Sequence, residues 1–182
     1  EGTFYLIKED GGSLAHSPEM GHGLSLLYYN VIEDAKKRKA HTELLHRYSL
    51  ENRKAVNVES MSHYPELFFR QHQNEKAYYW LKELINPSLA RREYPEVSYA
   101  VIGAYVCGVA GVYVDAPAKQ VMITPAKNEE LTWFEIKNCP MLDAEVDISF
   151  KEDHIIFTNR TKTLLCVNGK QILPDETITV EI

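Results

Sequence analysis

The chain has 182 residues, 45% of them hydrophobic and 25% charged, with a formal net charge of −6 at pH 7. These values exclude a disordered polymer, and the acidic balance argues against a nucleic-acid surface, which needs clustered Lys and Arg. A membrane span is not expected either: the longest apolar stretch, residues 97–114, is broken by Ser98, glycines and tyrosines and lacks basic flanks.

Residues 3–7 read as a short strand and residues 9–13 as a turn-rich loop. From Gly23 the pattern turns helical, with Leu24, Leu27, Tyr28, Val31 and Ile32 on one face. A second, mostly polar helix is predicted from Lys36 to Tyr48, with Ala40, Leu44, Leu45 and Tyr48 as its stripe. Its basic run, Lys36-Lys37-Arg38-Lys39, fits a solvated face. The contrast repeats: residues 66–72 carry Leu67, Phe68 and Phe69, and residues 75–85 present Ala77, Trp80, Leu81, Leu84 and Ile85 on one side. The last helix, residues 96–112, is apolar nearly all round and is expected to be buried.

Xaa-Pro-Glu precedes three of these helices, as Ser17-Pro18-Glu19, Tyr64-Pro65-Glu66 and Tyr94-Pro95-Glu96. Proline suits the first helical position, where its missing N–H costs nothing, and a first-turn glutamate faces the positive end of the helix dipole. The more apolar helices alternate with amphipathic ones, as an inner and an outer layer of helical hairpins require. If the Pro-Glu helices form the inner layer and run the same way, the segments ahead of Pro18, Pro65 and Pro95 converge at one end.

After Asp115-Ala116-Pro117 the period changes to two, and residues 120–124, 132–137, 144–150, 154–159, 163–167, 170–173 and 177–182 read as strands. Asn168-Gly169 between two of them is a type I′ hairpin signal. The reading is an α+β chain: antiparallel helical hairpins over residues 1–114, then a small antiparallel β-sandwich over residues 115–182. The three cysteines, Cys107, Cys139 and Cys166, lack metal-ligand spacing and are expected to be buried thiols. No cofactor is expected, since the chain has no phosphate loop, nucleophile elbow or Cys-His pair. His16, Glu19 and His22 have i, i+3, i+6 spacing, but Gly21 and Gly23 weaken any helix there, so no metal site is assigned. A start at Glu1 rather than Met leads to the expectation of a processed or excised chain, and the compartment stays open.

The run Arg92-Glu93-Tyr94-Pro95-Glu96-Val97-Ser98-Tyr99-Ala100-Val101-Ile102-Gly103, followed by Gly108-Val109-Ala110-Gly111-Val112 and Asp115-Ala116-Pro117, resembles the end of the catalytic barrel in six-hairpin glycosidases, of α-L-rhamnosidase-like or glucoamylase-like type. The resemblance implies part of an α/α toroid with its C-terminal β-sandwich. Because a complete toroid needs more helices than the sequence supplies, it also implies a partner, either the remainder of a parent chain or a second copy.

Glycoside hydrolysis needs two carboxyl groups across the scissile bond. Residues 57–64 concentrate a carboxylate, two hydroxyls, a histidine and an aromatic, so Glu59 is the first candidate for a catalytic acid or base. Glu93 and Glu96 follow, because the resemblance implies a catalytic carboxylate near the last inner helix. Arg91 and Arg92 are candidates to hold an acidic sugar, His16, His22 and His63 to hydrogen-bond sugar hydroxyls, and Tyr64 and Tyr94 to stack on a pyranose. Trp80 lies on an outer-helix stripe and is read as core, and Glu19, Glu66 and Glu96 have the simpler reading of dipole-compensating residues. The function expected is that of the C-terminal portion of a glycoside hydrolase acting on an oligosaccharide or glycoside, with no nucleic-acid or membrane partner. The alternative is a non-catalytic glycan-binding or assembly module.

Overall fold

The computed structural model describes residues 6–7, 14–15, 22–54, 56–129, 131–151 and 154–181. The chain divides into two compact units, residues 1–101 and 102–182. The boundary read from the sequence, after residue 114, lies further along, although residues 112–115 are already strand.

The first unit contains the two-residue strands β1 (Leu6–Ile7) and β2 (Leu14–Ala15), paired antiparallel, and the helices α1 (His22–Tyr28), α2 (Ala35–Glu51), α3 (Val58–Ser62), α4 (Tyr64–Arg70) and α5 (Asn74–Ile85). Helix α1 stops short of its apolar periodicity. Asn30 takes the left-handed conformation (φ 54), Asn30 N bonds Leu27 O and Val31 N bonds Leu26 O, which is a Schellman stop. Helix α4 ends the same way through His72 (φ 55), with His72 N on Phe69 O and Gln73 N on Phe68 O. Each stop turns the chain directly into an amphipathic partner, and α2 then starts on Asp34, whose Oδ1 accepts from Lys37 N at 2.8 Å.

The core of this unit is aromatic. Tyr64, Phe68 and Trp80 are each 0% exposed, with the Tyr64 ring 5.0 Å from that of Trp80 in an edge contact. Trp80 Nε1 donates to His46 Nδ1 on α2 at 3.1 Å, so the buried indole is satisfied. The core reading of Trp80 agrees with this placement. The basic run of α2 is largely exposed, as a solvated face requires.

Helix α6 (Pro95–Gly103) crosses the division between units and continues as a π-helical turn, Ala104–Val109, closed by Ala110 N on Tyr105 O at 2.8 Å. The expectation that this helix is buried is corrected. Val97 and Ala104 are buried, but Tyr99 is 72% and Ile102 60% exposed, because no described element covers that face.

The second unit holds two four-stranded sheets, formed by β3 (Val112–Asp115), β4 (Gln120–Ile123), β5 (Trp133–Met141), β6 (Ala144–Lys151), β7 (His154–Asn159), β8 (Leu165–Val167), β9 (Lys170–Ile172) and β10 (Thr177–Glu181). Their orders are β10-β7-β6-β5 and β3-β4-β8-β9. The sandwich is not wholly antiparallel: β4 and β8 pair parallel. Alternation places Val146, Ile148 and Phe150 in the core, with Ile155 and Phe157 buried on the neighbouring strand. Asn168 (φ 48) and Gly169 (φ 76) form the expected turn, and the Asn168 amide also bonds Ile123 N and Ile123 O, tying the hairpin to β4. Gly111 (φ +63) has a separate necessity, since a Cβ there would lie 1.8 Å from Thr124 O. The thiols depart from the expectation of burial: Cys107 is exposed and Cys139 and Cys166 are half-buried, with burial pushing the Cys139 thiol pKa up.

Candidate functional site

The segment before Pro65 is a short helix, α3, rather than a loop. Asn57 caps it, its Oδ1 accepting from Ser60 N at 2.7 Å, and this fixes Glu59 in the first turn. Ser62 is buried and donates to Glu59 O at 2.7 Å, so only Ser60 of the two hydroxyls faces a cavity. His63 both ends α3 and begins α4, which leaves its ring at the surface, 5.0 Å from the Tyr28 ring in an edge contact.

Glu59 Oε1 lies 3.2 Å from Arg91 Nη1, joining α3 to the turn before α6. The segments ahead of two of the Pro-Glu signals therefore meet. Arg91 is held in the left-handed region (φ 61), where a non-glycine residue costs about 1–2 kcal/mol. Its guanidinium carbon sits 5.0 Å from the Tyr94 ring centroid, a cation–π contact. Both partners of the ion pair are roughly half exposed, so its contribution to stability is small.

Glu59, Ser60 and His63 share a concavity of about 240 Å³ with Leu24, Ser25, Tyr28 and Tyr29. Tyr29 is 72% exposed and meets Tyr28 edge-on at 5.3 Å. The Tyr28 hydroxyl donates to Glu66 Oε2 at 3.0 Å, while Arg70 pairs with Glu66 and lies over the Tyr28 ring. Burial, reinforced by the hydrogen bond to Glu66, raises the Tyr28 pKa, so this phenol remains a donor. A carboxylate, two serine hydroxyls, an imidazole and two aromatic rings around one hollow can hydrogen-bond a sugar and cover its apolar face.

The remaining sequence candidates sort clearly. Tyr64 is fully buried, and its hydroxyl accepts from Ser49 Oγ at 3.1 Å; its placement corrects the expectation of sugar stacking. Arg92, Glu93 and Glu96 are exposed, without hydrogen-bond or ion-pair partners among the described residues. Glu66, read as structural, is engaged by Tyr28 and Arg70. His16 and the side chain of His22 lie outside the described residues. Sequence reasoning missed Tyr28 and Tyr29 as site residues, because Tyr28 fitted the apolar stripe of α1. The signal available was the adjacent Tyr-Tyr-Asn at the helix end, where Asn30 marks a stop that exposes Tyr29.

No family model matches the chain, and no curated protein matches it. Among solved structures, its fold is similar to one described as "Putative kojibiose phosphorylase from human microbiome", with a TM-score of 0.62 and 16% identity over 87% of this chain. At that identity the likeness shows the fold alone: an α+β architecture of helical hairpins followed by a β-sandwich. The chain spans 24% of the length of that structure's chain.

Proposed function

We propose that this chain is the C-terminal part of a carbohydrate-active enzyme of the α/α-toroid kind, which cleaves a glycosidic bond once further hairpins complete the barrel. The observation that carries the reading is the meeting of Glu59 and Arg91 beside the hollow formed by Tyr28, Tyr29 and His63. The fold's likeness to a structure named as a phosphorylase of a disaccharide supports the same substrate class.

In this reading Glu59 is the acid or base, Arg91 positions it, and Tyr29 and His63 receive the sugar. Glu93 or Glu96 supplies the second carboxyl group that glycoside cleavage requires. The acceptor is water in hydrolysis and inorganic phosphate in phosphorolysis. The two are separated by assaying the polypeptide that carries this sequence on aryl glycosides and kojibiose, with and without phosphate. Turnover is expected, and Glu59→Gln is expected to lower it at least about 100-fold, the usual worth of a positioned acid or base. If no substrate turns over and Glu59→Gln leaves glycan binding unchanged, the catalytic reading is wrong; glycan binding alone would then favour a non-catalytic module.

A further inference from the structure

A second concavity of the helical unit, of about 380 Å³, is formed by the α2–α3 connection, α3 and the turn after α5. Its volume suits a small ligand. Val56 and Val58, both buried, form part of its apolar wall, and the polar lining is unbalanced. The carboxylate in the lining, Glu83, is already committed, with Oε2 accepting from Arg53 Nε at 2.8 Å and lying 2.7 Å from Arg53 Nη2. Asn86 Oδ1 is likewise spent, on Ser88 N at 2.9 Å. The groups left without a partner among the described residues are the Lys54 ammonium, the Asn86 amide NH2 and the Ser88 hydroxyl. Arg91, on the rim, uses Nη1 for Glu59 and keeps further N–H donors. The hollow thus offers an uncompensated cation and directional donors, with its lining carboxylate already neutralised.

We propose that this concavity binds the anionic group of an acidic saccharide, with Lys54 supplying charge, Asn86 a directed hydrogen bond, and Val56 and Val58 a surface for the apolar face of the ring. The proposal rests on the carbohydrate reading above and adds the charge of the ligand. A sugar carboxylate and a sugar phosphate share the chemistry recognised.

The test is calorimetric titration of the 182-residue chain with D-glucuronate, glucose 6-phosphate, glucose and inorganic phosphate. At least one anionic sugar is expected to bind about tenfold or more tightly than glucose, and more weakly as salt is raised. Lys54→Glu, at an exposed position, is expected to remove that preference. Asn86→Asp keeps the acceptor used by Ser88 N but replaces the NH2 donor by an oxygen, and is expected to weaken binding of the anionic sugar about tenfold or more. Glucose binding as tightly as both acidic sugars, or indifference to Lys54→Glu, overturns the proposal. If glucose binds and Glu59→Gln abolishes that binding while no anionic sugar binds, this inference falls and the proposed function stands. Lys54-dependent binding of inorganic phosphate with no sugar bound overturns this inference, whereas the proposed function, which admits phosphate as acceptor, is decided by its own turnover assay.

Discussion

Glu59 and Arg91 stand 32 residues apart in the chain and meet only because α3 and the turn before α6 share one end of the helical unit. The contact distinguishes them from their neighbours Glu93 and Arg92, which have no such partner among the described residues. At the same scale, His46 gives a pH-dependent prediction. Burial, helped by Lys76, lowers its pKa below the usual 6.5, opposed by Glu43, and its neutral Nδ1 accepts from Trp80. A folded pKa below the unfolded one means that the unfolded chain binds the extra proton first. This part of the stability is complete above about pH 6.5 and is lost as pH falls through the lower folded value. Thermal unfolding followed between pH 7.5 and 5 should show a falling midpoint, and His46→Gln should flatten that fall. An unchanged slope would exclude His46 as its source.

Among the elements, α3 is the least legible and the most consequential. Its five residues are too few for periodicity to register, and the cluster of polar side chains resembles a loop. The cap at Asn57 holds it together. Asn57→Ala should destabilise by about 1 kcal/mol and should also weaken glycan binding, because Glu59 and Ser60 lose their fixed orientation. Denaturant melts and calorimetry on one preparation would show the two effects together; full glycan binding despite a lost α3 would count against Glu59 as a ligand contact. The strand elements are more legible, since alternation over residues 144–150 and 154–159 leaves one face to bury. β3 follows the helix without a polar break, so in the sequence its residues merge with the preceding apolar run. Gly111 is where that change of direction is made. Gly111→Ala should destabilise by more than about 1 kcal/mol, combining a positive φ with a clash against Thr124 O. A melt unchanged by this substitution would contradict the close approach of the two backbones.

At the scale of the whole molecule, α6 keeps an exposed apolar face. Tyr99 and Ile102 lie on the solvent-facing side of a helix whose sequence reads as core. In an assembled toroid such a face would pack against further hairpins, and this follows from the proposed function. On the proposed function, turnover is expected of a polypeptide that includes those hairpins, whereas the concavity proposed for an acidic saccharide is lined by residues within 53–91 and is testable on this chain.

The sequence by itself determined the sorting into helical hairpins and a strand-rich second half, the core placement of Trp80, the Asn168-Gly169 turn and the candidacy of Glu59. All of these rest on local period, capping chemistry and composition, which act over a few residues. Only the tertiary structure decided that Tyr64 is core rather than ligand-facing, that α6 keeps an exposed apolar face, that β4 and β8 run parallel, and that Glu59 pairs with Arg91 beside Tyr28, Tyr29 and His63. Those outcomes depend on which distant segments share a surface. That is settled by packing and by the satisfaction of buried polar groups, and no local pattern encodes it.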